Sequence, residues 1–265
     1  MLNSKEYIGV IDSGVGGLTV VRELQKMLPG EDIIYFGDSA NCPYGNKTER
    51  EILKLSLKML DFLEGRGVKV VAIACNTIST LAEVLKPKDD CRIIGIIESA
   101  AKFVIHTGLK KVGLIATEFT VSNGAYEKLI HKRDSSVSVV SKSSPLLAEL
   151  IDRGDFGSNA IDSEIKTVID AILSKDKVKH IILGCTHYPI VEENFRRCYP
   201  NISFINPAKE QAKAVQNYLE ENNAFAEKNK GGSLSICTSG RPQLYANVAK
   251  RLGLNNLTTL EKIIL

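Results

Sequence analysis

The sequence predicts an α/β protein made of two similar α/β halves, each with a largely parallel sheet, facing each other across a cleft. Three observations carry this. Short apolar runs alternate with amphipathic stretches along the chain, the pattern of strands joined by helical crossovers. Several of those runs are unbroken Val, Ile and Leu, as expected of strands buried on both faces. Finally, Val70–Thr77 and His180–His187 share one design: an apolar strand ending in Cys, two polar residues, then a helix-like stretch, with the two cysteines 110 residues apart.

In chain order, the first strand is Tyr7–Ile11. Leu18, Val21, Leu24 and Leu28 then recur at helical spacing until Pro29-Gly30 stops the helix. A strand at Asp32–Phe36 leads into a turn-rich loop, Gly37–Gly45. A helix over Thr48–Leu63 ends at Gly65 and Gly67. Strands follow at Val68–Ala74, Arg92–Ile97, Lys111–Ala116 and Val137–Val140. Helix Ser163–Leu173 precedes strands His180–Leu183 and Ile202–Ile205. Helix Glu210–Leu219, strand Leu234–Thr238 and helix Pro242–Leu252 complete the pattern. A second, fainter repeat links Ile8–Asp12 with Val112–Thr117, both Gly-containing strands ending in a polar residue. No low-complexity linker separates the halves.

Composition narrows the function. With 265 residues, the chain is long enough for one large domain or two small ones with ample core. Net charge is only +3, Trp is absent, and no basic stripe carries interleaved aromatics, so no nucleic-acid partner is expected. No apolar run approaches the ~20 residues that span a bilayer, so no membrane partner is expected either. Met1–Tyr7 is polar and charged, unlike a signal peptide, which points to the cytoplasm. The six cysteines are then expected as thiols, and none shows the CxxC spacing of a zinc knuckle or redox motif, so no metal is expected. Cys91, Cys198 and Cys237 read as small buried hydrophobes. Cys42, in a polar loop beside Pro43, is left open.

Asp12-Ser13-Gly14-Val15-Gly16-Gly17 follows the first strand and opens a helix. It fails as a dinucleotide fingerprint, because Thr19 stands at the third glycine position, and no Gly-Lys-Ser/Thr makes it a phosphate loop. Its glycines still let a ligand approach the backbone, at the strand end where α/β folds bind ligands. The plainer alternative is a helix cap by Asp12 or Ser13. Cys75-Asn76-Thr77 and Cys185-Thr186-His187 occupy matching strand-to-helix junctions, where a helix N-terminus is expected to lower a thiol pKa. Asn76 and Thr77 could cap or bind a carboxylate, and Pro189 suits a first helical turn. His187 could hold Cys185 as thiolate or shuttle its proton. Either Cys alone would be read as core. Two at matched positions favour chemistry.

Racemisation at an α-carbon calls for a base on one face and an acid on the other, because a bound ligand cannot tumble. Two identical residues suit a reaction that runs both ways. The α-proton is a very weak acid, so the site must stabilise carbanion charge in a closed, dry cavity.

With these motifs the chain resembles the glutamate racemase family nearly end to end. The resemblance rests on Ile8–Thr19, Gly37-Asp38, Pro43-Tyr44-Gly45, Cys75-Asn76-Thr77 and Gly184-Cys185-Thr186-His187-Tyr188-Pro189. The His after Cys185-Thr186 is similar to glutamate racemases, where aspartate racemases tend to carry Glu. The resemblance implies a cofactor-independent enzyme that makes D-glutamate for peptidoglycan. In it Cys75 and Cys185 are the acid/base pair, Asp12 assists Cys75 and His187 assists Cys185. Ser13, Tyr44, Gly45, Asn76, Thr77 and Thr186 hold the substrate, with Asp12 and His187 adjoining it and Thr117 or Thr120 adding contacts. It further implies a first domain of 1–97 plus 208–265, a second of 98–207, and a homodimer. Three departures stand out: Asp152 where the family has Glu in the Pro145–Arg153 segment, Ser99 in place of Pro, and Asn206-Pro207 in place of an Asp-containing pair. Competing readings are a related racemase for aspartate or a hydantoin, a thiol hydrolase using Cys185 and His187, and a non-catalytic amino-acid-binding protein.

Overall fold

A computed structural model of the chain describes residues 6–85, 87, 91–154, 156–226 and 231–265. The first five residues, part of the segment read above for a signal peptide, lie outside the described residues. The first part of the chain forms β1 (Tyr7–Asp12), α1 (Leu18–Met27), β2 (Ile33–Gly37), α2 (Glu49–Glu64), β3 (Val68–Ile73), α3 (Asn76–Ser79), β4 (Arg92–Gly95) and α4 (Ile96–His106). Then come β5 (Lys111–Ala116), α5 (Glu118–Asn123), α6 (Ala125–His131), β6 (Ser138–Ser143), α7 (Leu147–Asp152), α8 (Asn159–Leu173), β7 (His180–Gly184), α9 (Glu192–Cys198) and β8 (Ser203–Ile205). The chain closes with α10 (Pro207–Glu221), β9 (Leu234–Thr238), α11 (Pro242–Leu252) and β10 (Leu257–Lys262).

The strands form two all-parallel sheets, ordered β10-β9-β2-β1-β3-β4 and β6-β5-β7-β8. The order β2-β1-β3-β4 in one matches β6-β5-β7-β8 in the other, so the faint sequence repeat is a repeat of topology. β1 corresponds to β5, and β3 to β7. Gly9 and Gly113 occupy matching strand positions for matching reasons. A Cβ at Gly9 would stand 3.0 Å from Leu63 Cδ1, and one at Gly113 would stand 2.9 Å from Ile181 Cγ1. Both sheets are dry inside: Ile8, Val10, Ile11, Val70, Val71, Val112, Leu114 and Ile181 are fully buried. Each such side chain contributes about 1.5–3 kcal/mol of hydrophobic stabilisation.

Local chemistry sets the helix boundaries. Thr48 caps α2 through a capping box with Glu51. Asn206 caps α10 by accepting from the Ala208 N–H at 3.0 Å, and Pro207 fills its first turn. The departure at Asn206-Pro207 is thus a working helix start where the chain leaves β8 and returns toward the six-stranded sheet. Ser99 donates to the Gly95 carbonyl at 3.0 Å inside the first turns of α4. Gln211 of α10 donates to the carbonyls of Ile73 and Ile94 at 2.9 and 2.8 Å, tying off β3 just before Cys75.

Several expectations need correction. The run Arg92–Ile97 is a strand only to Gly95, and Ile96 and Ile97 begin α4. Their burial with Ala100, Ala101 and Val104 follows helical spacing and packs α4 against α6 and α10. The strand expected at Val137–Val140 is Ser138–Ser143, whose Ser-rich end pairs with β5 rather than showing apolar alternation. β10 was not foreseen, because most of its residues are exposed and, among the described residues, it pairs only with β9. Cys91 and Cys237 are buried as expected, whereas Cys198 is half-buried. Among the described residues, no helix is long and apolar enough to cross a membrane.

Candidate active site

The carboxyl ends of the two sheets meet. Asp12, the last residue of β1, is fully buried and caps no helix: the residue before α1 is Gly17, with no side-chain cap. Its carboxylate accepts from the Gly14 N–H at 2.8 Å and from Thr186 Oγ1, across the cleft, at 3.0 Å. Thr19 Oγ1 reaches the Gly16 carbonyl at 2.8 Å and the Thr186 carbonyl at 3.3 Å. Thr77, Thr117 and Thr120 form a hydroxyl triangle between the halves, with Thr77 to Thr117 at 3.2 Å, Thr77 to Thr120 at 3.5 Å and Thr117 to Thr120 at 3.0 Å.

Gly16 makes this closure possible. A Cβ there would fall 2.5 Å from Thr186 Oγ1, 2.7 Å from His187 Nδ1 and 2.8 Å from the His187 main-chain nitrogen. Only the absence of a side chain lets the two loops touch.

Each half delivers one thiol. Cys75 follows β3 and its sulfur lies 3.4 Å from the Ser13 hydroxyl. Cys185 follows β7 with its sulfur 3.7 Å from His187 Nδ1. The other face of His187 meets Asp152, at the end of α7, with Nε2 and Oδ1 3.0 Å apart. The two groups form a close ion pair at the buried end of the cleft. Asp152 therefore sits where a carboxylate acting on Cys185 through His187 would sit.

Both thiols line one cavity of about 40 Å³, with Ser13, Tyr44, Gly45, Asn76, Thr77, Thr117, Thr186 and His187 around it. Asp12, Asp152 and Thr120 stand behind this lining. The Tyr44 phenol proton is committed to Asp38 at 2.6 Å, so Tyr44 shapes the wall rather than offering a free donor. A cavity this small holds little more than one water. A larger one, about 790 Å³, is lined by Ser79, Gly95, Glu98, Lys128 and Arg133 among others. It contains no cysteine and none of the residues singled out for chemistry, so size alone does not mark the site.

Comparison with known proteins identifies the family. The family model for Asp/Glu/hydantoin racemases matches residues 8–215. The chain belongs to this family. It is 37% identical over 244 residues to glutamate racemase 1 of Caldanaerobacter subterraneus subsp. tengcongensis, covering 91% of this chain and 90% of the relative. It is 34% identical to the glutamate racemase of Carboxydothermus hydrogenoformans, covering 97% and 95%. Among solved structures, the Francisella tularensis glutamate racemase in complex with D-glutamate superposes with a TM-score of 0.87 at 32% identity, over 98% of both chains. The aspartate racemase of Picrophilus torridus, at 19% identity and a TM-score of 0.60, shares the fold alone.

Electrostatics in this family member overturn one expectation. Cys75 was expected to have a lowered pKa at a helix N-terminus. Instead burial, then the Asp12 charge, push it up to about 12 against a smaller opposing contribution from the Ser13 hydroxyl. The physical reason is plain: α3 has only four residues, too few for a strong dipole, and the thiol is fully desolvated. Burial likewise lifts Asp12 to about 6, opposed by His187 and the Gly14 and Thr186 hydrogen bonds. For His187 burial acts to lower the pKa, but Asp152 and Cys185 together hold it well above the ordinary imidazole value. The same partnership, working against burial, keeps Asp152 below the ordinary carboxylate range. Among the described residues no group of three or more acidic, His or Cys side chains is placed to hold a metal.

The structure also adds residues that sequence reasoning did not single out. Cys42 and Ala148 line the cavity. Cys42 had a weak signal, its place in the loop before Tyr44. Ala148 had none, because only tertiary packing brings α7 to the cleft.

Proposed function

We propose that this racemase interconverts L- and D-glutamate by proton transfer between Cys75 and Cys185 on opposite faces of the α-carbon. The observation that carries it is the convergence of two thiols, one from each sheet, on a single small cavity. One thiolate removes the α-proton. The negative charge spreads onto the adjoining carboxylate, stabilised by surrounding N–H and O–H donors in a dry site. The opposite thiol donates its proton to the other face, leaving thiol and thiolate exchanged and no net reagent consumed. His187 stands beside Cys185, and Asp152 pairs with its far nitrogen. Asp12 supports the Cys75 side, and the Ser13 hydroxyl contacts the Cys75 sulfur. Ser13, Gly45, Asn76, Thr77, Thr117, Thr120 and Thr186 hold the substrate, directly or through one another, and Tyr44 shapes the wall beside it.

A cavity of about 40 Å³ cannot admit glutamate, so the halves part to bind it and close for chemistry. We assign the moving parts to residues 1–97 with 208–265 and to residues 98–207, with the sheet changes running through α4 and α10. Family resemblance supports a cytoplasmic homodimer supplying D-glutamate for peptidoglycan.

The test is incubation of the purified protein with L-glutamate in deuterated water without added cofactor, following optical rotation and α-deuterium. Rotation should decay, and solvent deuterium should enter the D product ahead of the remaining L substrate, because the product-face thiol exchanges with solvent. Cys75→Ala and Cys185→Ala should each abolish inversion while staying folded. Turnover in both directions by Cys185→Ala would sink the two-thiol scheme, and turnover of aspartate alone would move the substrate.

A further inference from the structure

Asn76 opens α3 and lines the cavity, and it is only 2% exposed. Its two amide atoms have different fates. Oδ1 accepts from the hydroxyl of Tyr126 at 2.6 Å, while Nδ2 is buried with no partner among the described residues. A buried amide N–H₂ without an acceptor is costly, about 1–3 kcal/mol, unless a ligand completes it.

Tyr126 decides which way that amide points. It lies on α6 and is fully buried, with its ring in the apolar core. Its O–H has one acceptor within reach among the described residues, Asn76 Oδ1. Were the amide reversed, Nδ2 would donate to the phenol and the phenol proton would have nowhere to go. Oδ1 would then present lone pairs to any anion in the cavity. Burial, with Cys185 and Glu127 nearby, raises the phenol pKa, so it stays a donor at every working pH. The bond also joins the two halves, since Asn76 follows β3 and Tyr126 lies between β5 and β6.

We propose that Tyr126 is a positioning residue of the active site: its hydroxyl holds the Asn76 amide with the NH₂ turned into the cavity, where it donates to a carboxylate of the amino-acid substrate. This rests on the racemase reading above. Because the bond crosses the cleft, the donor is oriented only when the halves are closed around substrate.

The experiment uses the full-length protein and Tyr126→Phe, which removes the hydroxyl and keeps the ring. Loss of one oriented hydrogen bond to a charged group should raise KM for both glutamate enantiomers about tenfold, with kcat within about twofold. The dissociation constant of D-glutamate by calorimetry should weaken by a similar factor. Asn76→Ala should weaken it too, and adding Tyr126→Phe to Asn76→Ala should change it less than about twofold, because the residue being positioned is gone. Calorimetry needs no turnover, so it decides even if Asn76→Ala is inactive. The proposal is overturned if Tyr126→Phe leaves KM and the dissociation constant unchanged. It is also overturned if kcat falls with KM unmoved, the mark of a packing role, or if the two substitutions weaken binding multiplicatively. A wild-type protein that binds glutamate without racemising it would count against the racemase reading and leave these binding arms intact.

Discussion

Substituting Gly16→Ala tests whether cleft closure depends on direct contact between the first loop and the Cys185 turn. The added Cβ would lie 2.5 Å from Thr186 Oγ1, about 0.9 Å short of the 3.4 Å at which ordinary contact begins. Thr186 could swing its side chain aside only by releasing Asp12, its partner at 3.0 Å. The His187 main-chain nitrogen, 2.8 Å from the same Cβ, has no rotamer to escape into. The Cys185–His187 turn must therefore move back by more than half an ångström, carrying one thiol away from the other. A displacement near 1 Å costs about 10²-fold in rate, and overpacking costs about 1–3 kcal/mol of stability. The assay is kcat for both enantiomers alongside denaturant unfolding, with Gly157→Ala as the control, since none of the described residues lies within 4 Å of a Cβ there. A Gly16→Ala enzyme with kcat within twofold of wild type would refute the contact between the first loop and the Cys185 turn as a requirement of catalysis.

Other expectations follow from the charged groups. Burial raises Asp12 to about 6 from 3.8, so the folded state holds that proton more tightly than the unfolded chain. Stability should therefore fall as pH rises between those values, by about 3 kcal/mol in full. Urea unfolding at pH 4.5 and 7.5 should show Asp12→Asn flattening that decline, and an unchanged slope would place the titration elsewhere. Ionisation of Asp12 should also set the acid limb of kcat/KM near pH 6, a limb missing from any residual activity of Asp12→Asn. Asp152→Asn removes the main group holding His187 protonated, so kcat/KM should drop between about ten- and a hundredfold. Because the equilibrium constant of a racemisation is one, that drop must be equal in both directions, while kcat and KM shift unevenly between the enantiomers. Unchanged rates and pH profile would show that Asp152 does not act through His187. The stabilisation from that pair is full below about pH 6.5 and is lost as pH climbs through the raised His187 value; on the Asp152 side it is lost as pH falls below 3.8.

Much of this molecule was legible in the sequence because it is written in local chemistry. Strands buried on both faces must be continuous Val, Ile and Leu, so Val68–Ala74 and Lys111–Ala116 were found almost to the residue. The matched Cys75 and Cys185 junctions marked the repeat, because the strand ends of an α/β sheet are where its side chains face a ligand. What failed has physical causes as well. Ile96 and Ile97 extended an apparent strand, because an apolar pair reads the same in either conformation until its partners, α6 and α10, are known. β10 stayed hidden because an exposed edge strand needs no apolar face. The thiol pKa of Cys75 was misjudged because burial is a property of packing, not of the residue or its neighbours in sequence. The sequence by itself determined which groups are available: two thiols, an imidazole, two carboxylates and a set of hydroxyls. Only the tertiary structure decided which of them touch, how dry they are and which way Asn76 points, because those depend on contacts between residues far apart in the chain.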